Sequence, residues 1–200
     1  MKKIPTLFKR EFKNHKIVGI TDEITPGCEE AFRRGRATIK IDGSCCAMIN
    51  HEFYKRYDAK KGKKPPEGAI PCCEPDPVTG HHPHWVKVDP NDPADRWFLR
   101  AFNNAFKKGG FIFDGTYEAV GKHFNGNPYG YDDDFIIAHG GLEITIKRDF
   151  NAVKDFLEKT EHEGLVFWLG GEPVCKIKRT DFGFEWPIKK ESNSNEQKEK

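Results

Sequence analysis

Stretches in which apolar and polar residues alternate recur along the chain and predict β-strands. In residues 37–50 (ATIKIDGSCCAMIN), β-branched and charged residues alternate, and the pattern breaks at Gly43 before it resumes. This arrangement predicts a strand, a turn and a second strand, with Lys40 at the end of the first. Aromatic, β-branched or alternating patterns predict further strands at 111–120, 135–138, 142–147, 164–169 and 173–178.

Two other segments have the spacing of amphipathic helices. In residues 95–108, large apolar residues recur at intervals of three and four ahead of two consecutive glycines, and residues 151–161 repeat the pattern with Val153, Phe156 and Leu157. Many strands with few helices favour an α+β fold of mostly antiparallel sheets with flanking helices over repeated βαβ units.

Composition indicates one folded domain. A chain of 200 residues has the length of a single domain, and its 16 Phe and 4 Trp can build a core although only 36% of the residues are hydrophobic. Residues 188–200 (IKKESNSNEQKEK) are polar and predict a disordered tail, so we expect the domain to span 1–187. The net charge of +2 argues against a dominant basic field, so nucleic-acid binding would need local basic patches.

The sequence predicts a cytoplasmic protein without a membrane partner. No apolar run reaches the ~18 residues of a membrane span, and residues 1–16 lack the apolar stretch of a signal peptide. The six cysteines include the neighbours Cys45/Cys46 and Cys72/Cys73. Because neighbouring cysteines rarely pair, we expect reduced thiols. We also expect a monomer.

The candidate chemistry centres on three lysines. Lys176 and Lys178 are two apart on a predicted strand and therefore share one face. Two cations on an inward face require an anion such as a phosphate, whereas on an exposed edge they need no ligand. Lys40 begins the pattern KxDG with Asp42 and Gly43, which is short enough to occur by chance.

Four motifs together carry more information than any one of them. KIDG at 40–43, YEAVG at 117–121, EGLVF at 163–167 and CKIK at 175–178 occur in the order and spacing of the covalent nucleotidyltransferases, the superfamily of ATP-dependent ligases and mRNA capping enzymes. KIDGSCC, HFNGNPYG at 123–130, IIAHG at 136–140 and KIKRTDFGFEWPI at 176–188 resemble the small RNA ligase family of vertebrates, microbes and viruses. The resemblance covers most of residues 37–188.

The resemblance implies a single nucleotidyltransferase (adenylyltransferase) domain without a C-terminal OB-fold, since only 22 residues follow Lys178. It implies an ATP-dependent RNA ligase that joins RNA 5′-phosphate and 3′-hydroxyl ends with ATP and Mg²⁺ or Mn²⁺. Lys40 would form a lysyl-AMP, while Lys176, Lys178 and the cation would lower its pKa and neutralise phosphate charge.

The remaining roles follow from the same resemblance. Glu118 would contact the ribose, Glu163 the divalent cation, and Val166 one face of the adenine. The rest of the expected nucleotide site comprises Asp42 and Gly43 of the lysine motif, the backbone of Ile39, and Phe135 or Ile137 on the opposite adenine face. A core role is the alternative for Val166, Phe135 and Ile137, and an exposed position is the alternative for Glu163.

The resemblance assigns the roles of Arg56 and Glu74 less specifically. Arg56 would supply a basic group for phosphate contact, and Glu74 would bind metal or nucleotide. The neighbouring lysines form either an RNA backbone track or a solvated basic loop: Lys55, Lys60, Lys61, Lys63 and Lys64.

Three other functions remain open at this point. A DNA ligase and a guanylyltransferase share the lysine-adduct chemistry. A zinc-stabilised nucleic-acid-binding module is suggested by residues 72–85 (CCEPDPVTGHHPHW), which contain two Cys and three His. The adjacent cysteines depart from the usual Cys-x2-Cys spacing, because adjacent residues seldom both reach one tetrahedral ion.

Overall fold

A computed structural model describes residues 3–14, 16–107 and 112–188. These residues form three antiparallel sheets with helices packed against the two larger ones. The elements in chain order are β1 (Phe8–Lys13), β2 (Lys16–Ile24), α1 (Glu29–Arg34), β3 (Arg36–Lys40), β4 (Ser44–Ile49), β5 (Glu52–Ala59), β6 (Ile70–Pro71), β7 (His82–Lys87), α2 (Arg96–Lys107), β8 (Gly115–Val120), β9 (Phe135–Ala138), β10 (Glu143–Ile144), α3 (Phe150–Lys159), β11 (Gly164–Leu169) and β12 (Glu172–Lys178).

The four-stranded sheet has the order β10-β3-β11-β12, and one of its faces packs on the apolar core. Alternate residues of β11 and β12, among them Leu165, Phe167 and Ile177, are fully buried in one apolar cluster. Ala31 of α1 and Val153 of α3 belong to the same cluster, so both helices cover this face. The period-two alternation of a strand turns the intervening residues to the other face.

The six-stranded sheet has the order β6-β7-β5-β4-β8-β9. One of its faces packs against α2, where Ala101 is fully buried among side chains that include Met48 and Phe53. Phe53 also contacts Phe102, with ring centroids 5.0 Å apart. The glycine-terminated amphipathic segment thus forms the helix that its spacing predicts.

The N-terminal segment extends the four-stranded sheet beyond β12. The Leu7 N–H donates to the carbonyl of Lys176 over 2.7 Å, and the Lys176 N–H donates to the carbonyl of Pro5 over 3.0 Å. The hairpin of β1 and β2 follows, and its Arg10 lies 3.1 Å from Asp181. The sequence patterns did not predict these two strands, because most of their residues are exposed and no clear apolar alternation marks them.

The structure confirms the α+β class with mostly antiparallel sheets, and the elements predicted within 37–50, 95–108, 135–138, 151–161, 164–169 and 173–178 form with shifts of a few residues at their ends. Two predictions were too long: the strand expected at 142–147 pairs only over Glu143–Ile144, and that expected at 111–120 begins at Gly115. The basic segment around Arg56 that was interpreted as a possible loop contains β5. The segment 72–85 follows β6 and includes the first four residues of β7.

The predicted disordered tail lies outside the described residues apart from Ile188, which is exposed. In the described part of the chain, no helix combines the length and the apolar character needed to cross a bilayer.

Candidate active site

A cavity of about 960 Å³ is lined by residues of both larger sheets. The four-stranded sheet contributes residues of β3, β11 and β12, and the six-stranded sheet contributes residues of β4, β5 and β8. Its volume is at the upper end of the range for small-molecule sites. The side chains that line it and matter below are Thr38, Lys40, Cys45, Arg56, Glu74, Glu118, His139, Val166, Trp168 and Lys176.

Strand register brings the three lysines to one face of the four-stranded sheet. Gly164 of β11 lies opposite Lys40 on one side and opposite Lys178 on the other. Two residues further along β11, Val166 lies opposite Lys176. Directly opposed residues share a face, so these ammonium groups gather on the surface that the core does not use.

Glu163 lies between two of these lysines. Its Oε2 pairs with the Nζ of Lys40, and its Oε1 is 2.7 Å from the Nζ of Lys178. Glu163 is only 4% exposed, so the exposed position that was the alternative for this residue is excluded. Three ammonium groups and one carboxylate leave this cluster with a net charge of +2, which suits a polyanionic ligand.

Lys176 is the lysine of this cluster whose pKa is clearly shifted. Burial lowers its pKa to about 8, and the neighbouring charges of Lys40 and Lys178 act in the same direction. No carboxylate of the described residues lies within ion-pair distance of its Nζ. An anion that enters the cavity would supply the missing counter-charge.

Two motif glycines are required by close backbone approaches. A Cβ at Gly164 would lie 2.1 Å from the carbonyl oxygen of Ile177, and a Cβ at Gly43 would lie 2.2 Å from that of Ala119. Gly164 therefore allows β11 and β12 to approach where Glu163 meets the lysines. Gly43 has a packing role, and it does not line the cavity.

The structure gives Asp42 a positioning role. Its carboxylate accepts hydrogen bonds from Asn125 Nδ2 and Trp186 Nε1, each over 2.7 Å, and its backbone N–H donates to the hydroxyl of Tyr129 over 2.7 Å. Burial raises the pKa of Asp42. The HFNGNPYG and WPI segments thus hold the turn after Lys40, and the nucleotide contact expected of Asp42 stays a prediction.

Glu118 has a partner that the sequence did not single out. Its Oε2 lies 2.8 Å from His139 Nε2, and His139 Nδ1 lies 2.9 Å from Thr116 Oγ1. Cys45 of β4 faces Glu118 across the strand pair, and burial raises the pKa of its thiol to about 12. The ligand atoms of Cys45, Glu118 and His139 all lie within 4.8 Å of one another.

The other predicted nucleotide-binding residues divide between the cavity and the core. Val166 lines the cavity, as the resemblance implied. Phe135 and Ile137 are partly buried, pack against the core cluster and are not among the cavity-lining residues, so their contact with the adenine stays a prediction. Ile39 is among the cavity-lining residues, while its side chain belongs to the core cluster opposite the fully buried Leu165. The contact expected of Ile39 was one by its backbone, and this arrangement leaves the backbone to face the cavity.

Arg56 and its surroundings depart from the basic-loop interpretation. Arg56 lines the cavity from β5, and its guanidinium donates to Asp58 through Nε over 2.9 Å and Nη2 over 2.8 Å. Lys55, on the other face, pairs with the buried Asp95 and is removed from any RNA track. Glu74 is an exposed residue at the cavity.

The described residues bring together only one group with the geometry of a multidentate metal site, that of Cys45, Glu118 and His139. Cys72, Cys73 and the three neighbouring histidines do not form one, so the zinc module inferred from residues 72–85 is not supported. Glu163 and Glu74 do not meet in such a group either. Mg²⁺ usually uses one or two carboxylates together with phosphate oxygens and waters, and Glu163 can serve as such a carboxylate where an ammonium partner moves aside.

Comparison with known proteins finds similarity to RNA ligases. No protein-family model matches the chain. RNA ligase 1 of Rattus norvegicus is 24% identical over 90% of this chain and 77% of its own length. RNA ligase 1 of Mus musculus is 23% identical over 90% of this chain and 76% of its own length, and that of Pongo abelii is 24% identical over 90% and 77%. This similarity supports an RNA ligase-like family for the chain.

Proposed function

We propose that this protein is an ATP-dependent RNA ligase that joins 5′-phosphate and 3′-hydroxyl RNA ends through a lysyl-AMP. One observation carries the proposal. Lys40 lines a cavity of nucleotide size beside Lys176, and Glu163 links it to Lys178. The similarity to RNA ligase 1 over 90% of the chain supports RNA as the substrate.

In the first step Lys40 acts as the nucleophile. Its Nζ attacks the α-phosphorus of ATP, a P–N bond forms, the bond to the bridging oxygen breaks, and pyrophosphate leaves. The amine must first lose a proton, and the Glu163 carboxylate that pairs with it can accept that proton. Lys176 and Lys178 attract the phosphates and would neutralise the charge that develops on them.

The second and third steps are phosphoryl transfers at the same cations. An oxygen of the RNA 5′-phosphate attacks the adenylate phosphorus and restores the free Lys40 amine. The RNA 3′-hydroxyl then attacks the activated 5′-phosphate, loses its proton, and AMP leaves as the phosphodiester forms. Positioning and charge neutralisation dominate such reactions. Arg56 lines the cavity on the opposite sheet and can contact phosphate if Asp58 releases its guanidinium.

The nucleoside would lie between the two sheets. Val166 offers an apolar surface for the base, and Glu118 offers a carboxylate that accepts hydrogen bonds from ribose hydroxyls. Glu163 would hold Mg²⁺ or Mn²⁺ together with phosphate oxygens and waters. When bound, the ion would neutralise phosphate charge.

The adduct assay tests this proposal directly. The protein is incubated with α-labelled ATP and Mg²⁺ or Mn²⁺, and labelled protein is measured after denaturation. We expect an acid-labile AMP adduct in the wild type and in Lys154→Ala, a control at an exposed position of α3, and none in Lys40→Ala. Labelled GTP should give no adduct.

A chase with 5′-phosphorylated strands then identifies the polynucleotide. Transfer of AMP to RNA, followed by joining, is the expected result. Transfer only to DNA would indicate a DNA ligase, and labelling by GTP alone would indicate a guanylyltransferase. An unlabelled wild type with either ion would refute the lysyl-AMP mechanism.

A further inference from the structure

Cys45, Glu118 and His139 converge because three adjacent strands hold them in register. Cys45 of β4 is paired with Glu118 of β8, and Glu118 is paired with Ile137 of β9. His139 follows Ile137 by two residues and so returns to the same side of the sheet. All three side chains are partly buried and line the cavity, and their ligand atoms lie within 4.8 Å of one another.

Thr116 orients the His139 ring as an outer-sphere partner of a metal ligand does. Thr116 Oγ1 lies 2.9 Å from Nδ1, and the Thr116 carbonyl accepts the backbone N–H of His139 over 3.0 Å. The 2.8 Å contact between Nε2 and the Glu118 carboxylate holds a proton between the two atoms. A bound cation would take the place of that proton, and the ring would then keep its proton on Nδ1, shared with Thr116. Hydrogen bonds to the ring nitrogen that does not bind the metal fix the tautomer and orientation of ligating histidines.

The donor set indicates which cation the group would bind. A thiolate, an imidazole and a carboxylate suit a borderline-soft ion such as Zn²⁺, whereas Mg²⁺ and Ca²⁺ prefer oxygen ligands alone. Ligands at tetrahedral Zn²⁺ are roughly 3.5 Å apart. Any pair near the 4.8 Å limit must therefore approach by about an ångström, whereas Glu118 Oε2 and His139 Nε2, which are 2.8 Å apart, must separate slightly. Because the group lines the cavity, the fourth position faces the space that the nucleotide would occupy.

We propose that Cys45, Glu118 and His139 form a Zn²⁺ site inside the nucleotide cavity, and that the bound ion excludes ATP by engaging Glu118. On binding, the Cys45 thiol gives its proton to solvent and its sulfur becomes a ligand. The metal site rests on the geometry alone, whereas the inhibition rests on the proposed function, in which Glu118 contacts the ribose.

The first experiment measures the metal site without any enzymatic activity. Co²⁺, which takes the same ligands as Zn²⁺, is titrated into the purified protein and the thiolate-to-cobalt charge-transfer band is recorded. We expect one Co²⁺ per chain, displaced by Zn²⁺, with the band lost in Cys45→Ser and preserved in Cys73→Ser. Cys73 is the matched control because it lines the same cavity but is outside the ligand group.

Two further variants separate ligation from folding. His139→Gln should weaken Zn²⁺ binding by removing a ligand. Thr116→Val keeps all three ligands and should weaken it by about 10–100-fold, the usual effect of removing an outer-sphere partner. Circular dichroism checks that each variant folds. Absence of a thiolate band in the folded wild type, or an equal band in Cys45→Ser, would overturn the site.

The second experiment measures adduct formation with Mg²⁺ and increasing Zn²⁺ at several ATP concentrations. We expect inhibition by Zn²⁺ that ATP relieves, and a higher inhibitory concentration for Thr116→Val, by the same factor as its loss of Zn²⁺ affinity. Cobalt binding without such inhibition would overturn the exclusion of ATP. Cobalt binding in a protein that forms no adduct even without Zn²⁺ would refute the proposed ligase activity and leave the metal site standing.

Discussion

Replacing Lys176 by methionine is expected to stabilise the protein while it weakens nucleotide attack. Lys176 is the cluster lysine that burial and two like charges disfavour most, since they lower its pKa from 10.5 to about 8. A pKa difference of this size corresponds to about 3 kcal/mol. Methionine keeps the apolar stem and removes the charge. Because Lys176 is only partly buried, we expect a gain of about 1–3 kcal/mol in the free energy of unfolding near neutral pH.

The pH dependence of this gain distinguishes its cause. Between about pH 8 and pH 10.5 the unfolded chain holds the Lys176 proton and the folded chain does not, so wild-type stability rises with pH through that window. Below pH 8 both states are protonated and the destabilisation is complete. The advantage of Lys176→Met should therefore be full near neutral pH and should diminish as the pH approaches 10.5.

Urea unfolding followed by tryptophan fluorescence, near neutral pH and at the alkaline end of that window, measures both quantities. Lys178→Met is the matched control, because it removes a lysine that is 2.7 Å from the buried Glu163. This control should lose stability where Lys176→Met gains it. A Lys176→Met variant that is less stable than wild type, or equally stabilised at both pH values, would refute this account. Adduct formation should fall in both variants.

Two other substitutions test the packing and the nucleoside contact. Gly164→Ala should cost about 2 kcal/mol or more in urea unfolding, because its Cβ would lie 2.1 Å from the Ile177 carbonyl. Gly19→Ala, whose Cβ would be 3.5 Å from the Glu11 carboxylate, should change stability far less, and equal losses would contradict the close-approach argument. Glu118→Ala should raise the ATP concentration needed for half-maximal adduct by about 10–100-fold, as expected for a hydrogen bond to a charged group. If Glu118 contacts the ribose, 2′-deoxy-ATP should be poorer than ATP in the wild type but not in Glu118→Ala, and an unchanged preference would argue against the contact.

Much of the framework could be predicted because its signals are local. Helix α2 forms where apolar residues recur with helical spacing, β11 forms in a short continuous apolar run, and β12 forms where apolar and charged residues alternate toward its end. The same alternation predicts that Lys176 and Lys178 share one face of their strand. The strands β1, β2 and β5 were missed because polar and charged residues on their exposed faces hide the pattern.

The partners of the motif residues were not predictable in the same way. Glu163 reaches Lys40 across 123 positions of sequence, and Asp42 reaches Trp186 across 144. Neither spacing nor residue type indicates that the Asp42 carboxylate accepts hydrogen bonds from Asn125 and Trp186, or that His139 lies against Glu118. Such pairings depend on strand register, which fixes which side chains face each other.

The sequence by itself determined the fold class, most of the elements and the residue types that chemistry at a phosphate requires, because each depends on neighbours within a few positions. Only the tertiary structure decided that the buried carboxylate of Glu163 pairs with both Lys40 and Lys178, while Lys176 has no carboxylate partner among the described residues. It also decided that the side chain of Ile39 packs in the core and that Val166 lines the cavity. The physical reason is that charge compensation and burial are set by distances between strands, which local patterns do not encode.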